Sequence, residues 1–482
     1  MSSPGSRRSS PRSPSPRPRD AAPEAAANRK GVDACLPQRL GAPTPRDATL
    51  ASPASWAALL AEFRPCFTAR TFPVFCALAG GLLAQTARRT VCGMLVGAGL
   101  SRVWSHHRAH RFFSHARWSA DQVSATLARL VVRLLVPADG AVTVAVDDTL
   151  FHRRGPQVHA ASWFHDGSAN GGKKVGYGNN WVLAAIVVGL PFLDRPMALP
   201  VAFALIRKGS DDSSRLQAAR RLVQHLAAAL PGRRLDVVAD SAYAGKALRD
   251  LPTAVTWTTR LRANASLYEL APPRTGKRGR PRLRGKKLPK LTELAASATF
   301  TQTAVRRYGG TATVHVAVLR CLWYGVFGPQ QVQVVFLRDK AKTGYDVALV
   351  STDLDATSAQ LVERYAARWS IEVAIEDAKQ TAGVGQARNR LPKAVQRTVP
   401  FGLVVNSLAV CWYATTGHHP DDVQAVRELA PWYREKTQPS VLDMLAKLRR
   451  VIIAAQFRRS GPQPATPAEI SILRLAWENV AA

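Results

Sequence analysis

The sequence predicts an α/β fold, a mixed β-sheet with helices on its faces, one helical region before it and another after it. Three observations predict it. Two short Val-rich runs, Val142 to Val146 and Leu235 to Ala239, each end in carboxylates, and such continuous apolar runs read as strands buried on both faces. A helical segment lies near 358–382. Apolar and polar residues alternate over 297–307, 311–324 and 330–338, with Gly309, Gly310, Gly328 and Pro329 at the turns, as a small β-meander requires.

Taken in order, residues 1–50 begin rich in Ser, Pro and Arg with almost no large apolar side chains. Such a segment cannot bury enough surface to order itself and reads as a flexible basic arm. It lacks acidic residues before Asp20, as a transit peptide would, but has neither an apolar face nor an apolar secretory run. A weak hold on DNA and an over-extended start are its two readings. Region 51–138 reads as helical, with apolar positions through Trp56 to Phe63, Val74 to Leu83 and Val123 to Leu135, punctuated by Arg88, Arg89, Arg108, Arg111 and Arg117. His106, His107, His110 and His115 lack accompanying cysteines and read as structural or phosphate-facing rather than as a zinc site.

The first part of the core, 139–264, carries strands near 142–148, 157–164, 180–190 and 197–207, a helix near 212–229, and strands near 235–240 and 254–260. A basic loop and β-rich insertion follow over 265–345, then the core resumes at 346–393 with the helix near 358–382. The stretch between Asp240 and Glu372 is too long for one connection, so an insertion must fill it. Region 394–482 reads as helical through Val395 to Ala414, Val426 to Glu435 and Val441 to Phe457, with Pro400 expected to bend the first.

The chemistry concentrates on carboxylates. Asp147, Asp148 and Asp240 close the two apolar strands, where a carboxylate is costly unless it is paired, protonated or bound to a metal. On the helix near 358–382, Tyr365, Arg368, Glu372 and Lys379 fall within an arc of about 60° at roughly 100° per residue. Strand and helix carboxylates together suggest a cage for hard divalent cations, which take oxygen ligands. Alternation puts Val144, Val146 and Asp148 on one strand face and Asp147 with Ala145 on the other. Glu376, one turn beyond Glu372, is the helix's rival carboxylate. The contiguous string Tyr433 to Lys436 cannot line one helical face and is a decoy.

Composition points to a polyanion. Lys and Arg number 66 against 33 Asp and Glu, a formal net charge of +33, and such a charge draws a chain to nucleic acid by counterion release. No basic amphipathic helix or lipidation motif argues for a membrane surface, and no transmembrane span is expected. The 482 residues, 46% of them hydrophobic, allow two or three domains with real cores. The six cysteines show no Cys-x-x-Cys pair or disulfide-like spacing, which fits a reducing cytoplasm.

The spacing Tyr365-x2-Arg368-x3-Glu372-x6-Lys379 resembles the Tyr-Arg-Glu-Lys signature of bacterial insertion-sequence transposases of the DDE superfamily. Asp147 to Thr149, His165 to Ser168, Gly176 to Gly178, Asp240 to Tyr243 and Ala387 to Arg390 resemble one group within that family. The resemblance covers the chain from about residue 55 onward. It implies a ribonuclease H-like core, into which the predicted order of strands fits, and an amino-terminal helical domain that binds transposon ends. A helical cap packed on the core is the plainer reading of that domain, and both can hold at once.

The family's first acidic residue directly precedes Thr, which selects Asp148 over Asp147, and its spacing selects Glu372 over Glu376. The resemblance thus implies catalytic, metal-binding Asp148, Asp240 and Glu372, holding two Mg²⁺ ions or Mn²⁺, with Tyr365, Arg368 and Lys379 on the DNA. It implies cutting of double-stranded DNA at transposon ends and joining of the 3′-hydroxyls to target DNA, by a homodimer on paired ends associated with the bacterial nucleoid. In the insertion, Arg278 to Pro281 resembles the minor-groove hook of chromatin proteins, making Arg278 and Arg280 DNA-binding candidates. Trp323 is a candidate to stack on a flipped base, against the plainer reading of packing within the meander. Two other classes stay open: a non-mobile endonuclease with the same core, and a transposase-derived DNA-binding protein without catalysis.

Overall fold

The computed structural model describes residues 52–457 apart from 168, 170–173, 211–212, 274–280 and 342. The expectations for the 1–50 arm, for Arg278 and Arg280, for Ser168, and for the chain beyond 457 lie outside the described residues.

Among the described residues five α-helices come first: α1 (Ala54–Ala61), α2 (Phe72–Ala84), α3 (Val91–Gly97), α4 (His106–Ser114) and α5 (Ala120–Leu135). Their starts are written locally. The side chains of Thr90, Ser105 and Ser119 accept hydrogen bonds from the first-turn amides of α3, α4 and α5. Pro opens α2, which is apolar on every side and buried along most of its length. Stacked and edge-on contacts among Phe67, Phe75, Phe112, Trp118 and Phe401 join these helices to the later α11 (Pro392–Trp412). The apolar faces of this region are therefore spent on the core.

The sheet follows with β1 (Val142–His152), β2 (Ser162–His165), β3 (Val175–Val188) and β4 (Met197–Leu205). After α6 (Arg215–Ala229) come β5 (Leu235–Ala239) and β6 (Val255–Arg260). β1 pairs antiparallel with β3, and β3 with β4, while β1, β5 and β6 run parallel. The crossover through α6 permits that parallel pairing. The strand expected over 157–164 is only Ser162–His165, because the chain before it is spent on loop contacts such as the His159 amide to the Arg390 carbonyl at 3.0 Å.

The alternating segments form α7 (Leu291–Ser297), β7 (Thr301–Arg307), β8 (Gly310–Leu322), α8 (Tyr324–Phe327) and β9 (Gln331–Arg338), and β10 (Val347–Ser351) returns to the core. The meander extends the central sheet. β10 pairs with both β6 and β9, giving the order β2-β3-β1-β5-β6-β10-β9-β8-β7, with β4 also on β3.

The helix expected over 358–382 is two, α9 (Ser358–Ala367) and α10 (Trp369–Gln380). Arg368 between them keeps helical dihedrals, but the ladder tightens: its amide bonds the Tyr365 carbonyl at 3.2 Å and its carbonyl takes the Ile371 amide at 3.0 Å. The Thr357 side chain and Gln360 close a capping box at the start of α9. After α11 come α12 (Asp422–Leu429) and α13 (Val441–Phe457). Pro400 sits inside α11 without ending it. The stretch Pro392–Gly417 is long and apolar enough to cross a membrane, which the sequence reading did not expect; 89% of its apolar window is buried inside the fold, as in a core helix.

Candidate active site

The parallel register pairs Val146 of β1 with Ala239 of β5. Carried on by one residue, it sets Asp147 beside Asp240 on one face, because neighbours in a parallel ladder share their side-chain direction. β5 is buried along its whole length up to Asp240, whereas β1 is buried on either side of Asp147 and Asp148, so the carboxylates interrupt an apolar strand. The Asp240 Oδ1 accepts the Ala242 amide at 2.8 Å, and its carbonyl takes the Thr259 hydroxyl at 2.6 Å.

α10 brings the third carboxylate to the same face. Arg368 Nη1 donates to Asp147 Oδ2 at 3.1 Å and Nη2 to Glu372 Oε1 at 2.7 Å. One guanidinium thus holds a strand carboxylate and a helix carboxylate, and its Nε is buried with no partner. Tyr365 is half-buried, with Arg368 at 5.8 Å from its ring centroid.

Asp148 lies elsewhere. Its carboxylate accepts from Tyr243 Oη at 2.9 Å and Asn180 Nδ2 at 3.1 Å, and pairs with Arg215 at 3.3 Å. Arg215 opens α6, so Asp148 faces the α6 side and Asp147 the α10 side. Alternation separated the two residues as expected, but the face that meets Glu372 is that of Asp147. Burial could not decide between them, because helices cover both faces of β1.

The other candidates scatter. Lys379 is not at the carboxylates: its ammonium lies over the Phe151 ring at 5.3 Å, and burial lowers its pKa against the opposing pull of Asp166. Glu376 accepts from Gln380 at 2.9 Å, along its own helix. Trp323 is 7% exposed and edge-on to Phe327, which agrees with packing. It also borders a cavity of about 340 Å³ with Arg262, Tyr268, Arg284 and Tyr324. Arg284 lies over Tyr268 and Tyr324 at 4.4 and 4.9 Å.

The sequence reading assigned no role to Tyr243 or Arg215. Tyr243, three residues after Asp240, is 1% exposed, and this spacing was the available signal. It also missed a buried ion network joining β5 to α9. Arg364 pairs with Asp236 at 2.7 Å and with Asp353 at 3.0 Å, and Arg234 pairs with both aspartates. This network ties the helix pair bearing Glu372 to the strand bearing Asp240.

The electrostatics fit a cation-seeking site. Burial, aided by the charges of Asp240 and Asp148 against the pull of the Asp148 amide and Arg368, pushes the Asp147 carboxyl up to about 7. Burial opposes the charge on Arg368, but its bond to Glu372 and the nearby Asp147 outweigh that and raise its pKa. Clustered carboxylates are hard oxygen donors of the kind Mg²⁺ and Mn²⁺ accept. Among the described residues no three His, Cys, Asp or Glu side chains stand together in a finished cage; the Arg368 guanidinium bonds Asp147 and Glu372, where a shared cation would sit.

A family model described as "DDE superfamily endonuclease" matches residues 62–324. No curated protein matches the chain. Among solved structures, the chain is similar to the cryo-EM structure of a piggyBac transposase synaptic complex with hairpin DNA, with a TM-score of 0.40 and 13% identity, over 88% of this chain and 80% of that one.

Proposed function

The chain belongs to the DDE superfamily endonuclease family, and from that premise we propose that it is a transposase that cuts DNA at transposon ends and joins the freed ends to target DNA. The observation that carries this reading is the Arg368 bridge between Asp147 and Glu372, with Asp240 beside Asp147 at the end of the adjacent parallel strand. The strand order β4-β3-β1-β5-β6, with the first pairs antiparallel and the last parallel, supports a ribonuclease H-like core. Strands β7 to β9 then stand as the insertion between the second and third carboxylates.

In this reading Asp147 takes the role that the resemblance gave to Asp148. Asp147, Asp240 and Glu372 would hold divalent cations, Mg²⁺ or Mn²⁺, which supply positive charge to the scissile phosphate. Asp148, held by Tyr243, Asn180 and Arg215, positions the end of β1. Hydrolysis breaks the bond between phosphorus and the 3′-oxygen at the transposon end. The freed 3′-hydroxyl then displaces a 3′-oxygen in the target strand. Arg368 would transfer its two hydrogen bonds from carboxylates to a backbone phosphate as DNA and cations arrive, keeping its charge paired throughout. Tyr365 beside it can donate to the same strand. Lys379 and Arg284 contribute charge further along the DNA, and the cavity beside Trp323 has aromatic and cationic walls suited to a nucleobase. Double-stranded DNA and a second copy of the chain are the expected partners.

The test places the DNA ends flanking the gene around a marker and measures Mg²⁺-dependent excision by wild type and Glu372→Ala. Excision lost in the variant with end binding retained supports transposition. End binding without excision by either protein favours a binding-only protein. Cutting by wild type that ignores the paired ends favours a non-mobile endonuclease.

A further inference from the structure

Two arginines are buried together without a counter-charge. Arg89, between α2 and α3, is 8% exposed, and Arg449, on α13, is 5% exposed. Both border a small cavity of about 10 Å³ with Leu82, Leu83, Asn406 and Leu445. Arg449 Nε donates to the Leu83 carbonyl at 2.7 Å. The Arg89 backbone amide donates to Gln386 Oε1 at 2.7 Å, and the residue lines the cavity. No carboxylate among the described residues offsets either charge: burial alone lowers the pKa of Arg89, and burial with the like charges of Arg89 and Arg450 lowers that of Arg449 to about 10.

Burying one unpaired cation is costly, and burying two side by side is worse, since their repulsion is little screened away from water. We infer that Arg89 and Arg449 form a buried site for one small inorganic anion of the halide class. The cavity, of about 10 Å³, is far too small for phosphate or a carboxylate and leaves a single halide ion as its class of occupant, seated as the side chains around it give slightly. Asn406 supplies a third donor. Its Oδ1 is buried with no partner, and in the opposite, isosteric amide orientation its NH₂ serves an anion. The anion draws Arg449 of the carboxy-terminal helix, Arg89 of the amino-terminal helices and the segment after α10 to one point. That segment is close: a Cβ on Gly383 would stand 2.9 Å from Arg89 Cδ. This site is independent of the carboxylates and of the proposed reaction.

Crystals of the full chain soaked in bromide test it, read at the bromine absorption edge. An anomalous peak between the two guanidiniums is expected; a map with bromide only on the surface overturns the site. In solution, the melting temperature is compared in chloride and in gluconate at one ionic strength. Wild type should melt about 2 °C or more higher in chloride. Arg449→Met and Arg89→Met, which fill similar space without charge, should lose that difference. A chloride-specific gain that persists in both variants overturns the site, and the bromide map decides if neither variant folds.

Discussion

Arg368 reaches Asp147 across 221 residues of sequence, Nη1 to Oδ2 at 3.1 Å, while its other amine holds Glu372 one helical turn away. This bridge stands where the proposed chemistry needs cations, so it behaves as an internal counter-ion. Removing it should open the carboxylates. Arg368→Gln should bind Mn²⁺ about tenfold more tightly than wild type in the absence of DNA, because a competing positive charge is removed, as isothermal titration would show. Unchanged or weaker Mn²⁺ binding would mean that the guanidinium does not compete.

Asp147 makes stability depend on pH. Its carboxyl titrates at about 7 in the fold against the ordinary 3.8. Because the folded value is raised, the folded chain keeps a proton that the unfolded chain has lost. That stabilisation is complete below about pH 3.8 and is lost as pH rises through about 7. Asp147→Asn cannot ionise, so in EDTA it should gain on wild type between pH 5 and pH 8, by on the order of a few kcal/mol. Added Mg²⁺ should shrink the gap. Urea denaturation at the two pH values reads both effects, and a difference flat in pH contradicts them.

The Arg364 network should be a strong stabiliser against single truncation. Asp236 and Asp353 have side chains only 5% and 2% exposed, so Arg364→Ala strands two buried carboxylates. A loss of about 3–5 kcal/mol is expected in chemical denaturation. A loss under about 1 kcal/mol would mean that Arg234 alone satisfies both.

Gly385 carries a backbone requirement in the segment after α10. Its φ is +92°, a Cβ there would overlap the Phe151 ring, and its carbonyl accepts from Arg153. Gly385→Ala should cost about 1–3 kcal/mol from strain and overpacking. Thermal denaturation measures it, and an unchanged melting temperature refutes the requirement.

Much of the sheet was legible because its strands are buried on both faces. Val142 to Val146 and Leu235 to Ala239 are mostly Val, Ala and Leu, interrupted only by Thr143 and by the ion-paired Asp236. The helix carboxylate and its guanidinium were legible for the same kind of reason, since a 3.6-residue period brings Arg368 and Glu372 together. What sets Asp147, and not Asp148, on the face of Glu372 is not local. It is the register of β1 on β5 and the side on which α10 returns, and neither leaves a trace in the residues around 147. Lys379 shares the helical arc, yet it lies on Phe151 because α10 runs away from the carboxylates along β1. The joining of the meander to the core through β10 was also hidden, because alternation specifies a strand but not its neighbour. Arg89 and Arg449 read only as two among many basic residues, and their burial depends on helices far apart in sequence.

The three-carboxylate site is tested most directly by single-turnover cleavage of transposon-end DNA in Mg²⁺ by Asp147→Asn and Asp148→Asn side by side. The expected result is a loss of roughly 10³-fold or more for Asp147→Asn, with end binding retained, and a loss of about tenfold or less for Asp148→Asn. Full cleavage by Asp147→Asn with none by Asp148→Asn would contradict the site and return the first carboxylate to Asp148.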